Sequence, residues 1–213
     1  MSLPGWLDEL IAQAASSGTE IHDEDFAGTD LTDLELNRVS FVRCSFEEAS
    51  LSSMRTEGCS FTECSFDRAE LTDSSHLRSA FVACSFDRTT LIRIALTDCK
   101  LAGSVFNNSP LRSAVIAGGD FTAVSLGNAD LRELDFSGVK LVGANVVNAR
   151  LDRSVFTGAN LTGLRWSGAS LRDADLRGAI VADLDPRVVD LTGARVDLEQ
   201  AIRFVQHLGV RIG

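Results

Sequence analysis

Residues 159–178 read Ala159-Asn160-Leu161-Thr162-Gly163, Leu164-Arg165-Trp166-Ser167-Gly168, Ala169-Ser170-Leu171-Arg172-Asp173 and Ala174-Asp175-Leu176-Arg177-Gly178, blocks of five with a large apolar residue third in each. The phase runs far beyond this stretch. From residue 21 to residue 181 every fifth position is large and apolar except Thr56 and His76; of these 33 positions 15 are Leu and 11 are Phe. Eleven of the twelve Phe in the chain share this one phase. A period of five fits neither the roughly 3.6-residue period of a helix nor the period of about 2 of a strand, so the repeat itself sets the architecture.

Two more columns sharpen the pattern. Two residues before each apolar centre the side chain is usually small, as at Ala49, Ala69, Ala114, Ala129, Ala144, Ala149, Ala159, Ala169, Ala174 and Ala179. Two residues after it stands Gly at 28, 58, 103, 118, 138, 143, 158, 163, 168, 178 and 193, eleven of the seventeen glycines. A bend in every block needs φ > 0, which Gly adopts without steric cost in a type II turn. Earlier blocks carry Arg43, Glu48, Glu63, Arg68 or Arg88 at that place, so looser turns are expected in the first half and tighter ones beyond residue 100.

The small residue, an Asp, Asn or Ser, the centre and two variable positions form the pattern A-(D/N)-L-x-x. Over residues 21–196 the chain resembles the pentapeptide-repeat family. The resemblance implies an all-β solenoid, a right-handed quadrilateral β-helix with four blocks per square coil and both centres and small residues pointing inward. Stacked coils bury a continuous interior that no single block could bury alone, so 213 residues with 45% apolar content make one such array without a second domain.

The five cysteines, Cys44, Cys59, Cys64, Cys84 and Cys99, all fall in the small column, where Cys acts as a small hydrophobe. No Cys-x-x-Cys occurs, and a structural role is expected in place of a metal or redox one. Free thiols suit a reducing compartment. The first basic residue is Arg38 and no apolar run is long enough to span a bilayer, so neither a secretory signal nor a membrane segment is expected and the cytoplasm is the expected location.

Residues 1–20 and 197–213 lie outside the array. Trp6, Leu7, Leu10, Ile11 and Ala14 recur at helical spacing behind Pro4, with Asp8 and Glu9 in the first turn and Gly18 as a stop. A helix capping the exposed edge of the first coil is expected. Pro186, at a centre position, removes a backbone donor, so regular coils should fail there. Asp197 to Gln200 reads as a capping box that opens a helix carrying Leu198, Ala201, Ile202, Val205 and Leu208 on one side and ending at Gly209, with Val210–Ile212 as a last short strand. This helix either caps the last coil or forms a dimer contact.

The run Gly193-Ala194-Arg195-Val196-Asp197 and the helix after it resemble the module through which gyrase-protecting pentapeptide proteins pair end to end. Phe86-Asp87-Arg88-Thr89-Thr90-Leu91, Leu101-Ala102-Gly103-Ser104-Val105-Phe106, Asp173-Ala174-Asp175-Leu176-Arg177-Gly178-Ala179 and even His76 are similar to the mycobacterial fluoroquinolone-resistance branch, and the lack of inserted loops fits that branch better than the Qnr branch. The resemblance implies a homodimer, joined through Leu198, Ala201, Ile202, Val205 and Leu208, that binds DNA gyrase as an imitation of duplex DNA and relieves fluoroquinolone poisoning. The alternative is a structural scaffold that binds another protein.

Thirty acidic against twenty basic residues give a net charge of −10, which argues against direct binding of nucleic acid. An acidic rod can instead occupy the DNA groove of a partner. Roughly eight coils at about 4.8 Å make a rod near 40 Å, and two end to end span some 24 base pairs at about 3.4 Å each. The charge is uneven: residues 1–40 hold nine acids and one base, residues 101–213 twelve of each. The face centred on Leu31, Leu51, Leu71 and Leu91 carries acids and arginines alike, so any mimicry is assigned to local groups, Asp173, Asp175, Asp183, Asp185 and Asp190. Catalysis has little support: three His, no Tyr, no phosphate loop of recognised spacing, and no grouping that the repeat would converge in a pocket. No enzyme, cofactor, metal or membrane association is expected. Thr56 and His76, one coil apart on one face, are expected to leave that wall irregular or open to solvent.

Overall fold

The computed structural model describes residues 5–211, with side chains from Glu9 onward. Pro4, Ile212 and the side chains of Trp6, Leu7 and Asp8 fall outside the described residues. Helix α1 (Gly5–Ser17) comes first and ends at Gly18, whose φ is +70° and whose N–H donates to the Ala14 carbonyl at 2.9 Å. Ala14 is buried, and Leu10 and Ile11 pack on the same core that fills the array. The helix therefore covers the first coil.

From Ile21 the chain winds as a right-handed β-solenoid in which every strand pairing is parallel and offset by twenty residues. One sheet joins Ile21–His22, Ser40–Val42, Ser60–Thr62 and Ala80–Val82; a second joins Glu35–Asn37, Arg55–Glu57, Ser75–Leu77, Ala95–Thr97 and Val115–Ala117. A third pairs Ser85–Asp87 with Val105–Asn107. Beyond Ala117 single bridges of the same offset continue the ladder, from Asp120↔Lys140 to Asp175↔Arg195. Each coil donates forward and accepts back, as where the Leu31 N–H reaches the Ser50 carbonyl (2.8 Å) and the Ser50 N–H returns to Thr29 (3.0 Å).

An offset of twenty stacks like on like. Phe26, Phe46, Phe66, Phe86 and Phe106 form one column with ring centroids 4.5–5.0 Å apart, and Phe41, Phe61 and Phe81 a second at 4.9–5.0 Å. The two columns meet edge to face, as Phe46 meets Phe61 at 5.8 Å. Such pairs contribute about 0.5–1.5 kcal/mol each beyond their buried area. A third face is Leu at every centre from Leu31 to Leu191. Trp166 replaces Leu or Phe in the first column, and its indole N–H is buried without an acceptor among the described residues.

The turns correct one expectation. Residues two places after a centre have positive φ whether or not they are Gly: Arg43 (+53°), Glu48 (+58°), Glu63 (+55°) and Arg88 (+55°) adopt the same left-handed conformation as Gly163 (+69°). The corner requires it, and the earlier coils meet the requirement at a cost of about 1–2 kcal/mol per residue. What differs in the first half is the turn hydrogen bond, present on the faces of Phe26, Phe46 and Phe66 and of Leu31, Leu51 and Leu71 but not on the other two. In the later coils the centre carbonyl accepts the N–H three residues on, as Leu161 does from Leu164 and Leu171 from Ala174. At Ile21, Phe41, Phe61, His76, Phe81 and Phe86 that bond is missing, and a side chain from the next coil donates to the carbonyl.

These donors are the small-column residues twenty-three positions on: Cys44 to Ile21 (3.5 Å), Cys64 to Phe41 (3.6 Å), Cys84 to Phe61 (3.3 Å), Cys99 to His76 (3.2 Å), Ser104 to Phe81 (2.8 Å) and Ser109 to Phe86 (2.5 Å). All five cysteines are buried and free. The thiols are thus more than space-fillers, since each of these four donates to a main-chain carbonyl of the preceding coil. Burial pushes the Cys99 thiol up to about 11, keeping it protonated as a donor.

Near Pro186 the ladder slips: the Gly168 N–H reaches Val188 at 3.1 Å, but the Ser170↔Asp190 and Asp175↔Arg195 bridges follow, so the coils resume and do not end there. Helix α2 (Leu198–His207) opens with the Asp197–Gln200 capping box, both bonds at 3.0 Å, and closes at Gly209 (φ +82°). Val210 and Arg211 do not form a strand.

One glycine is held by contact as well as by conformation. A Cβ on Gly119 (φ +107°) would lie 2.4 Å from the Cys99 carbonyl oxygen, whereas one on Gly138 (φ +69°) would meet nothing within 4 Å. In urea unfolding, Gly138→Ala should lose about 1 kcal/mol to the left-handed backbone alone, and Gly119→Ala about 3 kcal/mol or more because the backbone of two coils must separate.

Candidate partner-binding surfaces

The five aspartates assigned to partner binding lie on all four faces of the last coils, because their centres, 171, 176, 181, 186 and 191, step round the square. Three are held by arginines. Arg177 clamps Asp175 with contacts of 2.5 and 2.8 Å, and Arg187 clamps Asp185 at 2.7 and 2.9 Å. Asp190 accepts the Thr192 N–H (3.0 Å) and Arg172 (2.5 Å). The Arg187 contact holds the Asp185 carboxyl down to about 2; Thr192 and then Arg172 do the same for Asp190. Asp183 accepts the Gly163 N–H at 2.9 Å. Asp173 makes no ion pair among the described residues. The geometry therefore does not gather these five into one bare acidic field.

Pairing of the same kind runs down the rod at the coil offset: Arg43–Asp23 (2.7 Å), Arg55–Glu35 (2.9 Å), Arg93–Asp73 (2.5 Å), Lys140–Asp120 (3.0 Å) and Arg153–Glu133. These exposed pairs contribute little stability, but they cancel charge. Glu24, Asp25, Asp30, Asp33 and Glu63, in the first coils, have no basic partner within ion-pair distance among the described residues. One further acidic group escaped the sequence reading: Glu47, Asp67 and Asp87 occupy one column at intervals of twenty. Arg68 bridges Glu47 and Glu48 (3.1 and 2.9 Å), while Asp67 accepts the Ser85 hydroxyl and the Asp87 N–H. The interval of twenty was the signal that would have found it.

Helix α2 faces two ways. Gln200 and Phe204 are buried against the last coil, and the Gln200 amide donates to the Leu176 (2.7 Å) and Ala179 (2.8 Å) carbonyls, fixing the helix over the open end. Leu198 (77% exposed), Ile202 (37%) and Leu208 (57%) point outward, with Ala201 and Val205 half-buried beside them. The side expected to be apolar thus faces solvent, and Gln200, which sequence reading used only as a cap, is the anchor.

Thr56 and His76 do not open the wall. Both are buried within the continuous five-stranded sheet, in register with each other. The Thr56 hydroxyl lies 2.8 Å from His76 Nδ1 and 2.8 Å from Ser79 Oγ; His76 Nε2 lies 3.2 Å from Ser74 Oγ, whose hydroxyl donates to Leu71. The polar pair is satisfied by serines in the small column, and the outer side of this sheet is a shallow groove lined by Glu35, Arg55, Glu57 and Leu77. Among the described residues no cluster of His, Cys, Asp or Glu is arranged to hold a metal ion, and no helix is long and apolar enough to cross a membrane.

The family model for pentapeptide repeats matches eight copies over residues 44–75, 120–158 and 154–195. The chain belongs to the pentapeptide-repeat family. The unmatched stretch between residues 75 and 120 contains His76 and three of the six carbonyls capped by side chains, those of His76, Phe81 and Phe86. As a fold, this pentapeptide-repeat protein is similar to a trypsin-treated form of QnrB1, a plasmid-mediated fluoroquinolone resistance protein, at 24% identity over 91% of this chain and 99% of that one, TM-score 0.79. A second trypsin-treated form is 25% identical over 91% and 97%, TM-score 0.73. HetL, involved in heterocyst differentiation regulation in the cyanobacterium Nostoc, is 19% identical over 93% and 95%, TM-score 0.66, which speaks to the fold alone. No curated protein sequence matches the chain.

Burial lowers the His76 pKa to about 3. Its unfolded value is near 6.5, so below that pH the unfolded chain takes up a proton that the folded one refuses. Stability should be flat above pH 6.5 and fall by up to about 1.4 kcal/mol per pH unit on the way to pH 4. His76→Leu made together with Thr56→Leu should remove that slope in urea titrations; an unchanged slope would assign it elsewhere.

Proposed function

We propose that this pentapeptide-repeat protein binds DNA gyrase as a rod imitating duplex DNA, modulates the enzyme and protects it from fluoroquinolones, acting as a homodimer joined through α2. The observation that carries this reading is the end-to-end likeness to QnrB1, at 25% identity over 91% of the chain, whose stated role is fluoroquinolone resistance. Within the family, the unbroken register resembles the mycobacterial protein MfpA. The action proposed is competition for a protein groove, with no bond made or broken, in keeping with an interior filled by side chains.

Charge refines the mode. An imitation of phosphates needs carboxylates that are not already held by arginine; the first coils group five of them, Glu24, Asp25, Asp30, Asp33 and Glu63, while in the last coils Asp175, Asp185 and Asp190 are clamped and Asp173 and Asp183 are not. In a dimer joined through α2 the acidic ends would lie outermost. The apolar stripe of Leu198, Ile202 and Leu208 supports that joint, because an exposed stripe at one end of a rod is a surface that association would bury.

A supercoiling assay with purified gyrase, with and without a fluoroquinolone, should show inhibition or protection at micromolar protein or below. No effect on gyrase from the same organism would defeat the reading and leave a scaffold with another partner. Glu24→Lys, Asp33→Lys and Glu63→Lys combined should raise the concentration needed by about tenfold or more, while Asp175→Lys with Asp185→Lys should change it less than about threefold. Light scattering should report a dimer for the parent chain and a monomer for Ile202→Glu; a variant that stays dimeric would show that the stripe is not the contact.

A further inference from the structure

The inter-coil ladder lacks the bridge between Thr90 and Pro110 and, one coil later, is broken across two whole faces. No hydrogen bond joins residues 107–118 to residues 127–138. The regular pattern would place the Leu111 N–H on Asp130, Ser113 on Arg132 and Ile116 on Asp135, and would return the Asp130 N–H to Ser109; none of these is formed. The two neighbouring faces remain bonded, through Phe106 N–H to Ser125 (2.9 Å) on one side and Phe121 N–H to Lys140 (2.7 Å) on the other. Two adjacent faces open and two closed describe a wedge.

Packing marks the same place. Ala114 and Ala129 are only half-buried, whereas their counterparts Ala149, Ala169 and Ala174 are at most 2% exposed; Val115 is 60% exposed. A cleft of about 380 Å³ enters beside Asn108, Pro110 and Asp130, and another of about 290 Å³ beside Arg112, Ser113 and Glu133. The parted segment is bounded by Ser109-Pro110, where a backbone donor is missing, and by Gly118-Gly119, at φ +68° and +107°. At this level Arg112 would stack directly on Arg132, and Ser113 interrupts a column in which Asp73 pairs with Arg93 and Glu133 with Arg153.

We propose that this junction is a working joint: the halves before and after it rock about the two bonded faces, between the open wedge and a closed form that completes the ladder. Gly118-Gly119 gives the wedge backbone freedom at one end while Pro110 holds φ fixed at the other, and the unmade donors and acceptors already stand in the alternation that closure would pair. Closure would redirect the later coils relative to the first ones, changing the curvature of the rod without unfolding either half. The inference concerns the free chain and stands whatever its partner.

Hydrogen exchange on the free, full-length protein should find the Leu111, Ser113 and Ile116 amides exchanging at least about 100-fold faster than Leu131, Glu133 and Phe136 one coil on. Equal protection would overturn the open state. Positions twenty apart in a closed ladder lie about 4.8 Å apart, inside the roughly 4.4–6.8 Å that a disulfide spans. Ser113→Cys with Glu133→Cys should therefore oxidise to completion, about tenfold or more slower than Asp73→Cys with Arg93→Cys, and the oxidised chain should regain protection at the three amides. Failure to oxidise while the reference pair does would show a fixed gap; oxidation as fast as the reference would show a junction that is always shut. Either result would overturn the joint.

Discussion

Everything in this molecule depends on one hydrogen-bonding offset: each coil donates to the residue nineteen positions ahead and accepts from the one twenty-one positions ahead. That offset is satisfied only if four equal corners are turned in every coil, and each corner needs one residue in the left-handed region. The stacked phenylalanines, the all-leucine face and the inward cysteines follow from it, because residues that share a column must fill the same volume at each level. The satisfied Thr56–His76 pair shows how strict this is. A polar pair is tolerated in an apolar column when Ser74 and Ser79, from the adjoining small positions, supply its partners.

The pentad phase was legible because burial acts on every fifth residue independently and leaves its mark locally. The helices at both ends were legible for the same reason, through spacing and caps. Three things were not. Arg43 or Glu63 at a corner looks like relaxation of the turn, yet the ladder forces the left-handed conformation on them, since long-range pairing overrides local preference. The hydrogen-bonding role of Cys44 or Cys64 depends on which turns lack their own bond, and nothing in a single pentad states that. The neutralisation of Asp175 and Asp185 by Arg177 and Arg187 was open to inspection at a spacing of two residues, but counting acids by region hides pairs that cancel within one pentad.

The ends of the rod are chemically unlike. The first coils carry carboxylates that no arginine holds, under a helix that packs Ala14 into the core; the last coil is closed by Gln200 and Phe204 and presents an apolar helix face outward. A solenoid makes such polarity easy, because contacts run only between neighbouring coils and each end is free to differ. Surface character can therefore vary along the axis while the interior stays uniform.

The column arithmetic has a consequence for how such a chain can change length. Loss or gain of one pentad would leave every corner and every inward residue acceptable, yet it would turn all later coils by a quarter revolution relative to the earlier ones. The acidic columns of the first coils and the outward face of α2 would then look in new directions with no loss of fold. Only a whole coil, twenty residues, can be inserted or removed without altering that angle. Relatives of this chain are thus expected to keep the spacing between their two ends constant modulo twenty wherever both ends must meet the same partner.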